Sequence, residues 1–590
     1  MDKHQYREKA KEIANFIWSI ADLLRGHYKR ADYGKVILPF TVIRRLDLVL
    51  EPTKQKVLAT YEKHKDKKPE ALEPILRMAA GGKEMRFYNR SKFTFDDLAK
   101  DHNRIADNFR NYLRGFSQHA REIIEYFSFD DQIRKLAEYD LLYIVTQHFA
   151  KAGEMLKGVD TILMGLAFEE LIRKFAEDSN ETAGEHFTPR EVIRLMVNLL
   201  FEKDKRMLTK GGVICTLYDP ACGTGGMLSE AAEYIREMNH GCMIKLFGQE
   251  VNPESYAICK SDLLIKKDEP DYVKFGNSFT QDGLADMTFD YMLSNPPFGV
   301  EWKKVEKYIK DETQNLGYDG RFGAGLPPIS DGSLLFLQHM IHKMKRSEGG
   351  SRIAIVFNGS PLFSGGAGSG PSEIRRWIIE NDMLETIIAL PDQLFYNTGI
   401  STYIWIVTDR KCKGRKGKVQ LINATGTEYD EKGNLFYSKM ARSLGNKRKE
   451  IHQDAIDLIT HIYTDFENGE HCKVFDNDDF GYRRITIERP KRDESGKVVK
   501  DKKGNIVPDA DLRDFENVPL KEDIHKYFKR EVLPHVPDAW IDEEKTKIGY
   551  EINFTKYFYK YKPLRPLEDI RKEILALEKE TEGMLQKVLS

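Results

Sequence analysis

The sequence predicts an α/β protein in which a mostly parallel sheet, covered by helices on both faces, follows an all-helical N-terminal domain. Three observations predict this fold class. Apolar residues recur at three- and four-residue spacing in the first part of the chain, and strand signals are scarce before Gly211. From Gly211, short β-rich runs alternate with helical ones, as in strands joined by crossover helices. The chain then ends in a heptad pattern, which predicts a helical tail.

Bulk composition predicts a cytoplasmic protein of several domains. The 590 residues, 41% of them hydrophobic, exceed the roughly 250–300 residues at which a single core stops growing. Lys and Arg number 92 against 93 Asp and Glu, so nucleic-acid binding would need local basic patches. The six cysteines lack CxxC spacing and suit reduced thiols. No stretch approaches the ~18 apolar residues of a membrane span, and the charged N-terminus lacks a signal core.

The chain divides into four predicted domains: a helical domain at 1–160, an α/β domain at 161–430, an α/β extension at 431–560 and a heptad helix at 561–590. The first helix of the helical domain has an apolar face made by Ile13, Phe16, Ile17, Ile20, Leu23 and Leu24, and a second helix spans Val36 to Leu50. KCKGRKGKVQ (411–420) and KDKKGNIV (500–507) combine turn residues with charge, which predicts exposed hairpins. No internal repeat is evident.

Seven β-rich runs predict the strands of the α/β domain: VICTLYDP, IKLFGQEV, YVKFGN, FDYMLS, RIAIVF, LETIIALPD and TYIWIVT. The last two lie close together with no helix between them, which predicts an antiparallel addition at one edge of the sheet.

The heptad tail carries apolar or small residues at three–four spacing: Leu567, Ile570, Ile574, Leu577, Thr581, Met584 and Val588. This spacing indicates a coiled-coil seam for a partner helix. The alternative is a terminal helix docked on its own domain.

The first predicted strand ends in Asp219, and a glycine-rich turn follows. Glycines let the backbone turn tightly and approach a ligand, and ligands of open α/β sheets bind beyond the carboxyl ends of strands. Gly-Lys-Ser/Thr is absent, which excludes a phosphate loop both here and in the later Gly-rich stretch 359–372. We interpret the later stretch as a flexible connection capped by Ser372. A cofactor site is predicted at Asp219, Ala221, Gly223, Thr224, Gly225 and Gly226.

Polar residues also end the second and third predicted strands. Glu250, one crossover after the glycine turn, can accept hydrogen bonds from both hydroxyls of a ribose; otherwise it is a solvated surface group. Asn277 lies where a side chain can meet an adenine ring, or it belongs to a plain turn.

A polar segment, Gly184 to Arg190, precedes an amphipathic helical run. Thr188 fits a helix N-cap and Pro189 the first helical position. The free amides of such a helix start can also receive a carboxylate. His186 has no accompanying Cys or His cluster, so we predict no metal site.

The fourth predicted strand ends in Asn295-Pro296-Pro297-Phe298. Two consecutive prolines fix the backbone and remove two amide donors, which leaves carbonyls as acceptors. An exocyclic amine that attacks a methyl sulfonium needs its hydrogens held by acceptors, and the Asn295 side-chain oxygen and Pro296 carbonyl can supply them. Phe298 offers a flat face for an extruded base. Catalysis would then consist of positioning and electrostatics, without a covalent nucleophile; otherwise the motif is merely a rigid loop.

The ordered motifs resemble those of the gamma-type amino methyltransferases of DNA, and more closely the modification subunit of type I restriction–modification systems. The resemblance covers nearly the whole chain and is carried by HYKRADYGKVILPFTVIRRLD, AGEHFTPREVIRLMV, DPACGTGGML, SNPPFG, SDGSLLFLQHM, LGNKRKEI, DFGYRRITIERP and the heptad tail. It implies a Rossmann-like class I methyltransferase sheet.

The resemblance implies methylation of adenine N6 in duplex DNA, by direct transfer from S-adenosylmethionine to a flipped-out base. Cofactor contacts carry over to Thr224 to Gly226, to Glu250, and to Glu185, His186, Phe187, Thr188, Pro189 and Arg190. Asn295 to Phe298 carry the catalytic motif. Many amino methyltransferases have Asp at the position of Asn277, so this residue departs from the family pattern for the contact with the cofactor. In the family, two modification subunits join one specificity subunit, on whose spacer helices the tail would pack, and motor subunits can join them.

Two further features gain a meaning from this resemblance. Lys29, Arg30, Lys35, Arg44 and Arg45 would belong to a clamp around DNA; the alternative is a solvated helix face. The long connection from Gly299 to Ser330 is expected to close over DNA or the flipped base.

Other functions are compatible with single motifs. An Asn-Pro-Pro-aromatic motif also serves methylation of a glutamine amide in proteins, and a related motif serves methylation of cytosine N4. A non-catalytic subunit that clamps DNA and senses methylation is the alternative from another class.

Overall fold

The computed structural model describes residues 3–82, 85–159, 163–164, 167, 170–171, 174, 188–239, 241–266, 268–297, 299–346, 349–396, 398–426, 435–559 and 566–589. The chain divides into two compact units, Met1–Ile552 and Asn553–Ser590. In the described parts, no helix is long and apolar enough to cross a membrane.

The N-terminal region is helical, as predicted. Among the described residues up to Val159, ten α-helices occur: α1 (Lys3–Trp18), α2 (Ile20–Leu24), α3 (Gly34–Leu50), α4 (Lys54–His64), α5 (Pro69–Gly81), α6 (Phe95–Leu98), α7 (Ile105–Arg114), α8 (Gln118–Tyr126), α9 (Phe129–Glu138) and α10 (Leu142–Leu156). Their apolar faces build one core, which also takes in Ala257, Ile258 and Leu264 from the α/β region. The predicted first helix is interrupted at Ser19, whose hydroxyl donates to the Phe16 carbonyl at 2.7 Å.

Arg44 and Arg45 are buried inside this helical core, with 3% and 8% of their surface exposed. Arg44 donates to Asp47 (3.1 Å) and Asp96 (3.0 Å). Arg45 donates to the carbonyls of Leu156, the last residue of α10, and of Val159. Both guanidinium groups therefore serve the core, and the prediction that they belong to a DNA clamp or a solvated face was wrong.

Lys29, Arg30 and Lys35 are exposed, in agreement with either interpretation. Lys35 forms a surface ion pair with Asp32 at 2.7 Å.

The α/β region is built on a mixed sheet whose nine strands lie within the described residues: β1 (Ile214–Asp219), β2 (Met243–Glu250), β3 (Val273–Phe275), β4 (Tyr291–Ser294), β5 (Arg352–Phe357), β6 (Leu384–Ala389), β7 (Tyr403–Thr408), β8 (Lys418–Asn423) and β11 (Cys472–Asp476). Their order is β11-β8-β6-β7-β5-β4-β1-β2-β3. Seven of these strands match the predicted runs. The sheet reverses its order between β1 and β4, which creates a crevice at their carboxyl ends.

Strand β7 is antiparallel to both β5 and β6, and it lies between them. The predicted antiparallel strand is confirmed, but its expected place at the edge was wrong, because β8 and β11 extend the sheet beyond β6. KCKGRKGKVQ is likewise no exposed hairpin. Arg415 is buried and donates to Gln420 at 3.3 Å, and the following residues form the buried strand β8.

The α-helices described in this region are α11 (Arg190–Phe201), α12 (Lys205–Leu208), α13 (Gly226–Met238), α14 (Pro253–Ile265), α15 (Glu306–Leu316), α16 (Ser333–His342), α17 (Ser360–Phe363), α18 (Gly370–Glu380) and α19 (Gln453–Asp465). Helices α11, α13, α14 and α19 pack apolar side chains into the core of the sheet. The Gly-rich stretch before α18 is not capped by Ser372. That side chain lies inside α18 and accepts from the Tyr550 amide at 3.0 Å. Arg375 holds the stretch by donating to the carbonyls of Pro361 and Ser364.

The extension contains a hairpin, β9 (Ser438–Leu444) with β10 (Lys447–Glu450), and a sheet of β12 (Gly481–Glu488), β13 (Asp514–Pro519) and β14 (Trp540–Tyr550), with the short helix α20 (Ile524–Tyr527).

The chain between β12 and β13 forms an arm, residues 489–513, with a repeat of eight residues that the sequence analysis missed. Asp493, Asp501 and Asp509 open successive turns, each by accepting backbone amides. The Lys491 amide donates to the Val507 carbonyl, the Val507 amide to the Val499 carbonyl, and the Val499 amide to the Lys491 carbonyl. These three hydrogen bonds form a closed ring.

The second unit holds α21 (Phe554–Phe558) and α22 (Leu567–Leu589). The predicted tail helix is confirmed. Large apolar side chains along it are exposed: Leu567, Ile570, Ile574, Leu575 and Leu577.

At the amino end of the sheet, Arg352 of β5 donates to Glu385 of β6 at 2.6 Å, and Tyr463 of α19 donates to the same carboxylate at 2.8 Å. All three side chains are buried, so Glu385→Gln leaves a guanidinium without its anion. We expect Glu385→Gln to lower the free energy of unfolding by about 3–5 kcal/mol in urea titrations.

Glu306→Gln, which breaks a surface pair with Lys310, is the matched control and should cost less than about 1 kcal/mol. Equal stability of the two variants would contradict a structural role for the buried pair.

Candidate active site

The described site residues that were predicted to follow strands lie where β1, β2, β3 and β4 end. These strands are neighbours in the sheet, and their parallel direction places the ends of all four at one edge. The glycine-rich turn leaves β1 and enters α13 directly. The predicted catalytic motif follows β4, so the segments predicted to hold the cofactor and the substrate flank the same crevice.

Asp219 joins these two segments. It is buried, and its Oδ1 accepts from the Ala221 amide at 3.0 Å and from the Ser294 hydroxyl at 2.9 Å. Burial raises the pKa of Asp219 to about 7, because desolvation of the charged form outweighs both hydrogen bonds. Asp219 therefore shapes the turn and fixes the residue immediately before Asn295.

Glu250 braces the turn from the end of β2. Its Oε2 accepts from the Gly223 amide at 2.8 Å, and its Oε1 accepts from the amides of Val251 and Asn252. Gly223 and Gly225 have φ of +53° and +82°, which favour glycine. A Cβ on Gly225 would lie 2.7 Å from the Cys259 sulfur, whereas one on Gly223 would meet no atom within 4 Å. The backbone beside Glu250 therefore faces open space.

Asn277 shapes the turn after β3. Its Oδ1 accepts from the amides of Phe279 (2.9 Å) and Thr280 (3.3 Å). The neighbouring Ser278 hydroxyl donates to the Pro220 carbonyl, which links this turn to the glycine-rich one. The predicted contact of Asn277 with a cofactor base stays a prediction.

Asn295 is nine-tenths buried, and its Nδ2 donates to the Thr188 hydroxyl at 2.9 Å. Thr188 is no helix cap: Pro189 occupies the N-cap of α11, and the amides of Val192 and Ile193 donate to its carbonyl. Four further predicted site residues lie outside the described residues, namely Glu185, His186, Phe187 and Phe298.

The start of α11 is anchored by a buried ion pair between Glu191 and Lys447 of β10. Lys447 also donates to the carbonyls of Leu394 and Lys449, each at 3.0 Å. Lys447 belongs to the LGNKRKEI motif, so the hairpin carrying this motif supports the helix beside the loop after β4.

The connection from Gly299 to Ser330 packs against the turn that follows β3. It contains α15, and its Trp302, Ile309 and Phe322 form an apolar cluster with Phe279 and Leu335. Arg321 donates to the carbonyls of Ser278 (2.9 Å) and Phe279 (2.7 Å) and pairs with Glu312 at 2.6 Å. The connection thereby braces the turn that carries Asn277, and its closing over DNA stays a prediction.

The described part of the site fits an adenosine-type cofactor better than a metal. The positive-φ residue Gly223 borders open space beside the carboxylate of Glu250, which ends β2, and this arrangement suits a sugar carrying hydroxyl groups. Among the described residues, no group of three or more His, Cys, Asp and Glu is arranged to hold a metal ion.

Sequence reasoning missed four contributors: Ser294, Arg321, Lys447 and the Thr188–Asn295 contact. Ser294 ends a strand next to the predicted catalytic motif, and this position was a usable signal. The partners of Arg321 and Lys447 are distant in sequence, and no local pattern points to them.

Comparison with known proteins matches two families. The profile of the N-6 DNA methylase family matches residues 159–480, and the HsdM N-terminal domain matches residues 13–149.

Individual relatives are named as methylase or methyltransferase subunits of type I restriction systems. The type I restriction enzyme MjaIX methylase subunit of Methanocaldococcus jannaschii is 26% identical over 491 residues, which cover 79% of each chain. The MpnII methylase subunit of Mycoplasma pneumoniae is 24% identical over 72% of this chain and 81% of its own. A solved type I restriction-modification methyltransferase subunit from Streptococcus thermophilus has the same fold, with a TM-score of 0.58 and 21% identity, over 80% of this chain and 97% of its own.

The buried carboxyl of Asp219 predicts a pH-dependent stability. Unfolding returns its pKa from about 7 to its ordinary value near ~3.9, so between about pH 4 and pH 7 the unfolded chain releases a proton that the folded chain retains. This group's contribution to the free energy of unfolding therefore falls as pH rises through that window. Asp219→Asn keeps the acceptor without titrating, and its stability relative to the wild type should rise from pH 5 to pH 8.

Urea titrations at both pH values measure this difference. Asp311→Asn, at an exposed position of α15, is the control and should show no such trend. A constant difference between Asp219→Asn and the wild type would contradict the raised pKa.

Proposed function

The chain belongs to the N-6 DNA methylase family, as a modification subunit of a type I restriction–modification system, and from this premise we propose that it methylates adenine N6 in duplex DNA. In this proposal, the methyl group passes directly from S-adenosylmethionine to a flipped-out base, without a covalent enzyme intermediate. The observation that carries the proposal is the hydrogen bond from Ser294 to Asp219. It joins an acceptor-rich loop to a glycine turn beside a carboxylate.

S-adenosylmethionine, when bound, would supply an electrophilic methyl group on a sulfonium. Glu250 would accept from the ribose hydroxyls, and the turn from Asp219 to Gly226 would face the cofactor through its backbone. Thr188 and Pro189 precede α11, which begins at Arg190, and the positive end of the helix dipole would suit the methionine carboxylate. Glu185, His186 and Phe187 are assigned to the same pocket from the family resemblance alone, as is the contact of Asn277 with the adenine.

The chain's own contribution to the reaction would be to hold the target amine. An exocyclic amine is planar and weakly nucleophilic, and it must direct a lone pair at the methyl carbon. The Asn295 Oδ1 and the Pro296 carbonyl would accept its two hydrogens, and Pro297 would keep that carbonyl in place. The proton released on transfer would leave through these acceptors to solvent. Such positioning can supply a large share of the rate enhancement.

The target base must leave the duplex to reach this corner. Phe298 would stack on it, in the position that the motif implies. Lys29, Arg30 and Lys35 are the exposed members of the basic set in the helical domain, and they would contact phosphates. Contacts of this kind would make affinity fall with rising salt concentration.

The proposed assembly has two modification subunits on one specificity subunit, which reads the DNA, and motor subunits can join it. Helix α22 is the proposed contact with the specificity subunit, because it exposes apolar side chains at heptad spacing. We place the assembly in the cytoplasm, where its substrate DNA lies.

Asn295→Ala tests the mechanism. It removes one amine acceptor and leaves the glycine turn and Glu250 intact, so methyl transfer should fall by at least about 100-fold while cofactor binding survives. Transfer of radiolabelled methyl groups by the complete complex measures the first effect, and equilibrium dialysis measures the second.

Asn381→Ala, at the exposed end of α18, is the matched control and should behave as the wild type. Unchanged turnover in Asn295→Ala would remove this acceptor from the mechanism. Digestion of the product to nucleosides identifies the target, and N4-methylcytosine, or label in protein instead of DNA, would refute the adenine assignment.

Leu577→Glu tests the role of the tail. Leu577 is 62% exposed, so the substitution should leave the subunit folded while it places a charge in the proposed helix interface. We expect co-purification with the specificity subunit to be lost. Glu573→Lys, on the same helix, is the control for a change of charge, and full retention of Leu577→Glu in the complex would exclude the tail as the contact.

A further inference from the structure

The hydroxyl of Thr188 has a role in the structure that neither its residue type nor its position in the sequence indicates. It accepts a hydrogen bond from Asn295 Nδ2 at 2.9 Å, and both residues are nine-tenths buried. The contact joins the segment before α11 to the loop after β4, across 107 residues of sequence.

In the structure, the hydroxyl of Thr188 pairs with the donor end of the Asn295 carboxamide. A carboxamide has a donor end and an acceptor end of nearly equal size, and rotation by 180° exchanges them. With its nitrogen held by Thr188, Asn295 directs its oxygen away from that hydroxyl. After a rotation, the amide nitrogen would face the target amine, and two donors would oppose each other.

The position of Thr188 is set by elements other than Asn295. Helix α11, which begins two residues later, packs Val192, Ile193 and Met196 into the core of the sheet. Its first turn carries the buried Glu191–Lys447 pair described above. The hydroxyl is therefore attached to a rigid support, and a rigid partner is what a positioning contact requires.

We propose that Thr188 is a positioning residue for methyl transfer, which acts by orienting the Asn295 carboxamide with its oxygen toward the target amine. This inference rests on the proposed function. It differs from the contact with the cofactor that the family resemblance implies for this position, and from the helix cap that the sequence suggests. Thr188 itself touches neither the amine nor the methyl group in this scheme.

Two variants, Thr188→Val and Thr188→Ser, test the proposal. Both are measured in the complete complex with the specificity subunit and DNA. Valine keeps the shape without the hydroxyl, and we expect the single-turnover rate at saturating cofactor to fall on the order of 10- to 100-fold. The dissociation constant of S-adenosylmethionine and the thermal midpoint should stay unchanged. Serine retains the acceptor and should restore most of the rate. Thr209→Val, at an exposed position, is the matched control.

Each departure from this pattern would overturn the proposal. A wild-type rate in Thr188→Val would show that the hydroxyl does not matter. A weaker cofactor affinity with an unchanged saturated rate would make Thr188 a cofactor contact. A Thr188→Ser rate as low as that of Thr188→Val would show that a hydroxyl at this position does not restore transfer, and the orienting role would fall. If Thr188→Val does not fold, Thr188→Ala replaces it with the same expected results.

Failure of the proposed function has a different signature. In that case, the wild-type complex itself would transfer no methyl group to adenine. If the wild type is active and Thr188→Val is equally active, only the positioning role falls.

Discussion

The hydrogen bond between Ser294 and Asp219 ties together the two strands on which the site depends. Strands β1 and β4 are neighbours at the point where the sheet reverses its order, so their ends border the crevice. Asp219 also accepts from Ala221, and its position thereby sets the start of the glycine turn. One buried carboxyl group thus fixes the distance between the segment assigned to the cofactor and the loop assigned to the substrate. Glu250 and Ser278 then attach the ends of β2 and β3 to the same turn.

Much of the fold could be predicted from local patterns. Alternating β-rich and helical runs gave all seven strands of the sheet's main part and the helices between them, because each run reports burial on one or both faces of its own element. The turn after β1 and the loop after β4 were predicted from glycine and proline, whose backbone effects are local. The predicted site residues in these two segments lie at one edge of the sheet together with Glu250, because β1, β2 and β4 are parallel and end there.

The errors concern residues whose partners are distant in sequence. Arg44 and Arg45 carry the charge and spacing of a solvated basic face, yet acids and carbonyl groups up to 114 residues away hold them in the core. Ser372 precedes a helical pattern as a cap would, but its partner is Tyr550, 178 residues later. A charged or hydroxyl side chain can serve the surface, a cap or a buried network, and only the tertiary structure decides among these. The insertion of β7 between β5 and β6 is a similar case, because strand order depends on pairings that no single strand encodes.

The ring of backbone hydrogen bonds among Lys491, Val499 and Val507 sets a rule for how the arm can change in length. Each repeat donates to one neighbour and accepts from the other, so a deletion of eight residues would strand one donor and one acceptor. The tips that follow Asp493 and Asp501 are exposed and take no part in the ring. They would accommodate extra residues at a small entropic cost, since loop-closure entropy grows slowly with length. A peptide tag inserted at a tip would therefore be tolerated, whereas the removal of one period would not.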